Sequence, residues 1–291
     1  MTAATALFDA PGPRARVRNR ALSALTIVIV ALSGWVVYAQ LESKGQLAAA
    51  KWAPFLTADL WRTYVLPGVA GTLTAAAWSI ALALLLGVLL GIGRLSGIGP
   101  IRWVCAVVVE LCRAVPVLIM MIFAYFLYGL LDAVPAPQLA LAGVVTGLTL
   151  YNGAVIAEIV RAGVNALPAG QAEAAAALGL GWGATMRLVL LPQAVTAMLP
   201  VLVSQLVVVL KDTAIGYQIT FVEMVRQGTV VGSQYSNYLP ALLVIAALMI
   251  TANLALSASA TGFERRLRRS RRTPLAAAVI EPEGTPAAPV V

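Results

Sequence analysis

The sequence predicts an all-α membrane protein with six transmembrane helices, and three observations carry that prediction. Hydrophobic residues make up 60% of the chain and charged residues 11%, whereas a soluble domain carries about 25% charged residues. The apolar residues fall into long runs, most of them near the 20 or so residues needed to cross the hydrocarbon core. Arginines gather at the two ends of the chain, the asymmetry that orients a membrane protein.

The same composition removes several function classes. The formal net charge of +8 comes mainly from the terminal arginines, which suits the cytoplasmic face of a bilayer. There is no basic stripe interleaved with aromatics, so nucleic-acid binding is not expected. The chain has no His, and its two cysteines, Cys105 and Cys112, lie one heptad apart inside an apolar run. Cys/His metal sites and His-based acid/base chemistry are therefore not expected, no metal is predicted, and the cysteines read as small buried hydrophobes.

Taken in order, residues 1–20 are polar, with Arg14, Arg16, Arg18 and Arg20, and read as a disordered cytoplasmic tail. Residues 21–41 form an apolar run too long for a signal-peptide core and are predicted to be a transmembrane anchor. Residues 42–66 mix charge with Trp52 and Trp61 and read as an external loop, with room for a short surface helix. The second span is predicted over 67–93, where Gly71, Gly87 and Gly91 would permit close helix packing. Arg94 and Arg102 bracket a short cytoplasmic loop. The third span covers about 104–131; Glu110 and Arg113 are spaced to pair on one face, and Pro116 is expected to kink it. The fourth span covers about 138–164 and contains Asn152, Glu158 and Arg161.

Residues 165–194 are too polar for a span. Pro168 and Gly170 set up a short helix over 169–178, and Gly179 suits the left-handed position that closes a helix. A second short helix is predicted at about 182–190, ending before Pro192. The fifth span follows at about 195–211, ending at Lys211-Asp212. Residues 212–238 read as an external or re-entrant segment, and the sixth span covers 239–261. The chain closes on a basic and then Pro/Ala/Glu-rich tail, 265–291, expected to be disordered. The positive-inside rule puts both arginine-rich ends in the cytoplasm, which requires an even number of spans and places 165–194 there too.

With that stretch in the cytoplasm, its residues acquire an identity. Gly170-Gln171-Ala172-Glu173-Ala174-Ala175-Ala176-Ala177-Leu178-Gly179, followed by Leu191-Pro192-Gln193-Ala194, resembles the EAA loop of bacterial ABC-transporter permeases. More narrowly, it is similar to the polar amino-acid uptake group that carries histidine, glutamine and glutamate. Four further segments resemble family motifs in the right order: Glu110 to Leu118, Gly153 to Arg161, Lys211-Asp212-Thr213 and Glu264-Arg265-Arg266. The resemblance covers about 67–269 and implies a five-helix type I importer core over 67–264, with the first span as an addition. Departures occur at Val155, where the family has Tyr; at Ala114-Val115, where it has Gly-Thr; at Tyr151-Asn152; and at Ala214.

The resemblance implies a coupling loop at 165–194. In it Gly170, Gln171, Glu173, Ala174, Ala175, Gly179, Leu191 and Pro192 would meet a partner ATPase, the alanines permitting close approach and Glu173 either pairing with a partner Arg or capping the turn. No Gly-rich nucleotide loop ending in Lys-Ser/Thr occurs, so ATP and Mg would sit on that partner and no catalytic site is expected in this chain. The implied partners are a cytoplasmic ATPase dimer, a second identical or related permease, an external amino-acid-binding protein and membrane lipid. Glutamate is the narrow substrate expectation.

Ionisable and polar groups at membrane depth are candidates for the substrate path. Those are Asn152, Glu158, Gln205, Asp212 and Thr213. Glu158 would meet a substrate ammonium group or pair with Arg161, and Asp212 would do the same or pair with Lys211; Glu110 and Arg113 read as a structural ion pair. A second reading, a secondary transporter or channel working alone, predicts uptake driven by an ion gradient. A third, a membrane-embedded enzyme, would need a catalytic dyad that the sequence does not present.

Overall fold

The computed structural model describes residues 12–270. The tail segments 1–11 and 271–291 lie outside the described residues. Among those described there are no strands, five helices are long and apolar enough to cross a membrane, and a helix pair bent by 100° passes the same test only when its two halves are taken together.

Helix α1 (Pro13–Ser43) begins with Pro in its first turn, where the missing N–H costs nothing. It therefore takes in Arg14 to Arg20, which were expected in a disordered tail; arginine is a good helix former. None of its residues is buried, so the rest of the chain does not hold it.

Residues 42–66 are a helical elbow, which includes the short helix that the loop reading allowed for and adds further turns. It comprises α2 (Ala49–Trp52), a 3-10 turn, α3 (Ala58–Leu60) and a π turn over Trp61–Val65 that runs directly into α4 (Leu66–Arg94). Leu60 and Val65 are buried with Val231 and Ala241. The Lys51 ammonium donates to the Ser236 carbonyl, and Asn237 Nδ2 donates to the Lys51 carbonyl at 2.9 Å.

The body of the protein is a bundle centred on α4 and α7 (Leu139–Asn165). The two run parallel: a Cβ on Gly87 would stand 2.8 Å from the Gly153 carbonyl, and one on Gly91 would stand 2.9 Å from the Ala157 carbonyl. In lipid there is no hydrophobic drive between helices, and close backbone approach through small residues supplies the packing. Gly71 has the same role against a loop, since a Cβ there would lie 1.9 Å from the Val222 carbonyl oxygen.

The expected kinked third span is instead two helices, α5 (Gly99–Ala114) and α6 (Val117–Leu130), bent by 100°. Val115 precedes Pro116 and is pushed to extended geometry, φ −89° and ψ 129°. The proline thus ends α5 outright.

After α7 come the short helices α8 (Ala169–Ala177) and α9 (Trp182–Thr185). A π turn over Met186–Leu190 then joins α9 to α10 (Leu191–Asp212). The helix predicted to stop before Pro192 continues through it, because the wider π turn makes room for the ring. A 3-10 segment, Thr213–Ile219, leads to α11 (Met224–Gln234), which packs on α4 and on α12 (Tyr238–Ser270). Helix α12 runs through the first arginines of the basic stretch, where the span was expected to end near 261.

Candidate functional site

Three polar features stand out on this apolar frame. The first is α8, a nine-residue helix between two membrane-spanning helices. Its end follows from hydrogen bonding: Gly179 N–H donates to the Ala176 carbonyl at 2.9 Å and Leu180 N–H to the Ala175 carbonyl at 3.1 Å. Gly179 sits at φ +76°. This is a Schellman closure, which demands a left-handed residue just past the helix. Gln193 Nε2 donates to Gln171 Oε1 at 3.0 Å and to the Val189 carbonyl at 3.0 Å, stapling α8 to the start of α10.

The faces of α8 separate the expected coupling residues. Gly170, Gln171, Glu173, Ala174 and Gly179 are exposed, while Leu191 and Pro192 are half-buried in the first turn of α10. Ala175 is buried, so it packs the loop from within and is not available for close approach by a partner. No side chain caps the start of α8, which leaves Glu173 as an exposed charge. Leu178, 82% exposed, and Trp182, 47% exposed, add apolar surface beside it.

The second feature is a chain of charges where α4, α5 and α7 meet. Arg94, in the last turn of α4, donates to Glu158 at 2.7 Å and to Glu110 at 3.2 Å. Glu158 also accepts from Arg161, at 3.1 and 3.2 Å from Nε and through a further Nη2 contact. Arg113 reaches Glu110 at 3.7 Å. The expected Glu110–Arg113 pair exists, but it is the longest link in a five-residue network whose hub is Arg94.

The third feature lies deeper. Asn152 is fully buried; its Nδ2 donates to the Leu148 carbonyl at 3.0 Å and its Oδ1 accepts from Gln205 at 2.7 Å. This bond ties α7 to α10. Thr213 is buried and donates to the Leu210 carbonyl at 2.7 Å, and Asp212 sits half-buried beside Lys211 at the end of α10.

The model of a family described as "Binding-protein-dependent transport system inner membrane component" matches residues 83–269. The chain belongs to this family. It is 54% identical over 231 residues to the Glutamate transport system permease protein GluD of Corynebacterium glutamicum, covering 79% of this chain and 85% of that one. It is 31% identical to the Arginine transport system permease protein ArtQ of Bacillus subtilis, over 70% of this chain and 93% of that one. Among solved structures, an amino acid ABC transporter crystallised with histidines superposes with a TM-score of 0.61 at 32% identity, over 69% of this chain and 92% of that one. The inward-facing MetNI methionine ABC transporter shares the fold, with a TM-score of 0.56. Helix α1 and the elbow precede the family match.

Within this permease, the structure brings together Asn152 with Gln205, and Glu110, Arg113 and Glu158 with Arg94. Glu158 is held between two guanidinium groups, so its lone pairs are engaged by Arg94 and Arg161. Two residues carry structure that the sequence did not disclose. Arg94 read as a loop bracket, and only the approach of α5 and α7 reveals it as a hub. Glu223 is fully buried and caps α11, accepting from Val225 N–H at 2.7 Å and Arg226 N–H at 2.6 Å. It lies in the connector between the fifth and sixth spans, where burial raises its pKa to about 7 against the pull of those two bonds and of the Arg226 charge. A Glu followed by an apolar helix start was the signal available for it.

Proposed function

We propose that this chain is the permease subunit of an ATP-driven importer for a polar amino acid, glutamate in the narrow reading, and that α8 is the helix through which a partner ATPase drives it. The observation that carries the proposal is α8 itself. It is a short helix with an exposed acidic residue, Glu173, closed tightly at Gly179 and placed between α7 and α10. The 54% identity to a glutamate permease supports the substrate.

In this reading both termini and α8 are cytoplasmic, because the arginines of α1 and of the C-terminal stretch then sit on the positive side. ATP and Mg bind the ATPase dimer. A second permease, identical or related, supplies the second α8, and an external binding protein delivers the amino acid. The rigid link from α7 through α8 to α10 converts ATPase closure into rocking of the membrane helices. Asn152 and Gln205, together with Asp212 and Thr213, form the polar part of the path.

The test is reconstitution of the permease with its ATPase and binding protein in proteoliposomes. Uptake of labelled glutamate should require ATP, the ATPase and the binding protein, and Glu173→Arg should lower uptake and coupled ATPase activity together. Full uptake by Glu173→Arg would remove the coupling role from α8.

A further inference from the structure

The elbow of residues 42–66 carries the most exposed large apolar side chain among the described residues, Leu56 at 89%. The backbone beneath it is nonetheless fixed. Thr57 donates twice to the Pro54 carbonyl, from its N–H at 3.1 Å and from its hydroxyl at 2.7 Å, and Trp61 Nε1 donates to the Phe55 carbonyl at 2.8 Å. Phe55, Trp61 and Tyr64 turn inward and pack on the buried Leu60, Val65, Val231 and Ala241. The elbow is also clamped to the end of α11 and the turn after it. Lys51 donates to the Ser236 carbonyl, Asn237 donates to the Lys51 carbonyl, and the Tyr64 hydroxyl donates to Gln234 Oε1. Leu56 is thus held out on a preorganised turn, and a side chain displayed in that way gives up little freedom on binding.

Two features point to what Leu56 meets. The exposed side chains that follow it, Thr57, Asp59, Arg62 and Thr63, are polar or charged. A segment that anchors in lipid presents a continuous apolar face and places its aromatics at the interface, whereas the elbow turns its aromatics inward. A lone apolar knob in a polar rim is the pattern of a protein–protein contact. The second feature is position. Helix α4 starts at the elbow and runs parallel to α7, whose far end leads into α8, so the elbow lies on the membrane face opposite α8. We propose that the Pro54–Thr57 turn is a docking knob for the external amino-acid-binding protein, which receives Leu56 in an apolar pocket bordered by polar groups. The proposal rests on the importer reading above and adds the place of contact. The elbow precedes the family match, which begins at residue 83. The knob therefore sits outside the core that defines the family, where it is suited to selecting one binding protein over those of related importers.

The test places the permease–ATPase complex in nanodiscs and measures ATP hydrolysis against rising concentrations of the glutamate-loaded binding protein. Leu56→Asp should raise the half-stimulating concentration about tenfold, or about 1.4 kcal/mol, the scale of an apolar anchor lost from an interface, and should keep the maximal stimulated rate. Leu56→Met, which keeps an apolar side chain of similar volume, should stay within about twofold of wild type. With p-benzoylphenylalanine in place of Leu56, irradiation should join the permease to the binding protein; this measurement carries the test if Leu56→Asp does not assemble. An unchanged half-stimulating concentration in Leu56→Asp overturns the knob. Cross-linking to lipid alone, with the binding protein present, also overturns it and assigns Leu56 to the membrane surface. A wild-type complex that the binding protein does not stimulate, and that takes up no glutamate, would refute the importer reading and the proposal with it. That failure shows in wild type before any variant is made, so the two are distinct.

Discussion

Replacing Gly179 with Ala tests how α8 is closed. Gly179 holds φ +76°, and no atom stands within 4 Å of the place a Cβ would occupy. The substitution therefore meets no steric neighbour, and its whole cost is the left-handed backbone, about 1 kcal/mol. That cost falls on the two bonds from Gly179 and Leu180 that end the helix. Gly170 offers the opposite case in the same segment. It too has open space, but it lies inside α8 at ordinary helical φ, so Gly170→Ala should stabilise the helix by about 0.5–1 kcal/mol. Hydrogen-exchange mass spectrometry of the peptide spanning 169–180 reads both. Gly179→Ala should speed exchange there about fivefold, and Gly170→Ala should slow it by about twofold to fivefold. Gly179→Asn should exchange more slowly than Gly179→Ala, because Asn tolerates the left-handed region. The reasoning is refuted if both alanine variants shift exchange in the same direction, or if Gly179→Ala leaves it unchanged.

Gly71→Ala should prevent stable assembly, at a cost of at least about 3 kcal/mol, because its Cβ would meet a backbone carbonyl at 1.9 Å. Gly163→Ala should cost far less, since the obstructing atom is the thioether of Met198, which can swing aside; thermal unfolding in detergent compares the two. Arg94→Met combined with Glu158→Gln in a double-mutant cycle should give a coupling energy of about 1–2 kcal/mol, below that of a fully buried pair because Glu158 is 25% exposed. Additivity of the two thermal shifts would remove Arg94 as the hub. The raised pKa of Glu223, about 7 against an ordinary 4.5, means that the fold favours the protonated carboxyl. Its contribution is therefore complete below pH 4.5 and lost as pH rises through about 7. Melting temperature should fall between pH 5 and 8, Glu223→Gln should flatten that decline, and an unaltered slope in the variant would exclude Glu223 as its source.

Much of this architecture was legible in the sequence because lipid enforces simple rules. The apolar runs located the spans, and Gly71, Gly87 and Gly91 marked close approaches that the structure contains. Gly179 was readable because a left-handed helix end has a strong residue preference. Prolines were read less well. Pro116 breaks its helix completely, while Pro192 interrupts nothing. The difference lies in what precedes each: an extended Val115 in one case and a π turn in the other. The candidate sites divide along the same line. Local features of α8 could be seen, but the burial of Ala175 depends on how the loop folds back, and the Asn152–Gln205 bond joins residues 53 positions apart. Arg94 is 64 residues from Glu158, and a periodicity argument within one helix cannot reach across that separation.

The central claim is that α8 couples this permease to an ATPase. It is tested most directly by labelled glutamate uptake into proteoliposomes holding the permease, its ATPase and the binding protein, comparing wild type with Glu173→Arg at equal incorporation. The account predicts ATP-dependent uptake in wild type and a loss of both uptake and coupled ATP hydrolysis in the variant. Uptake that an ion gradient drives without the ATPase, and that Glu173→Arg leaves intact, would contradict it.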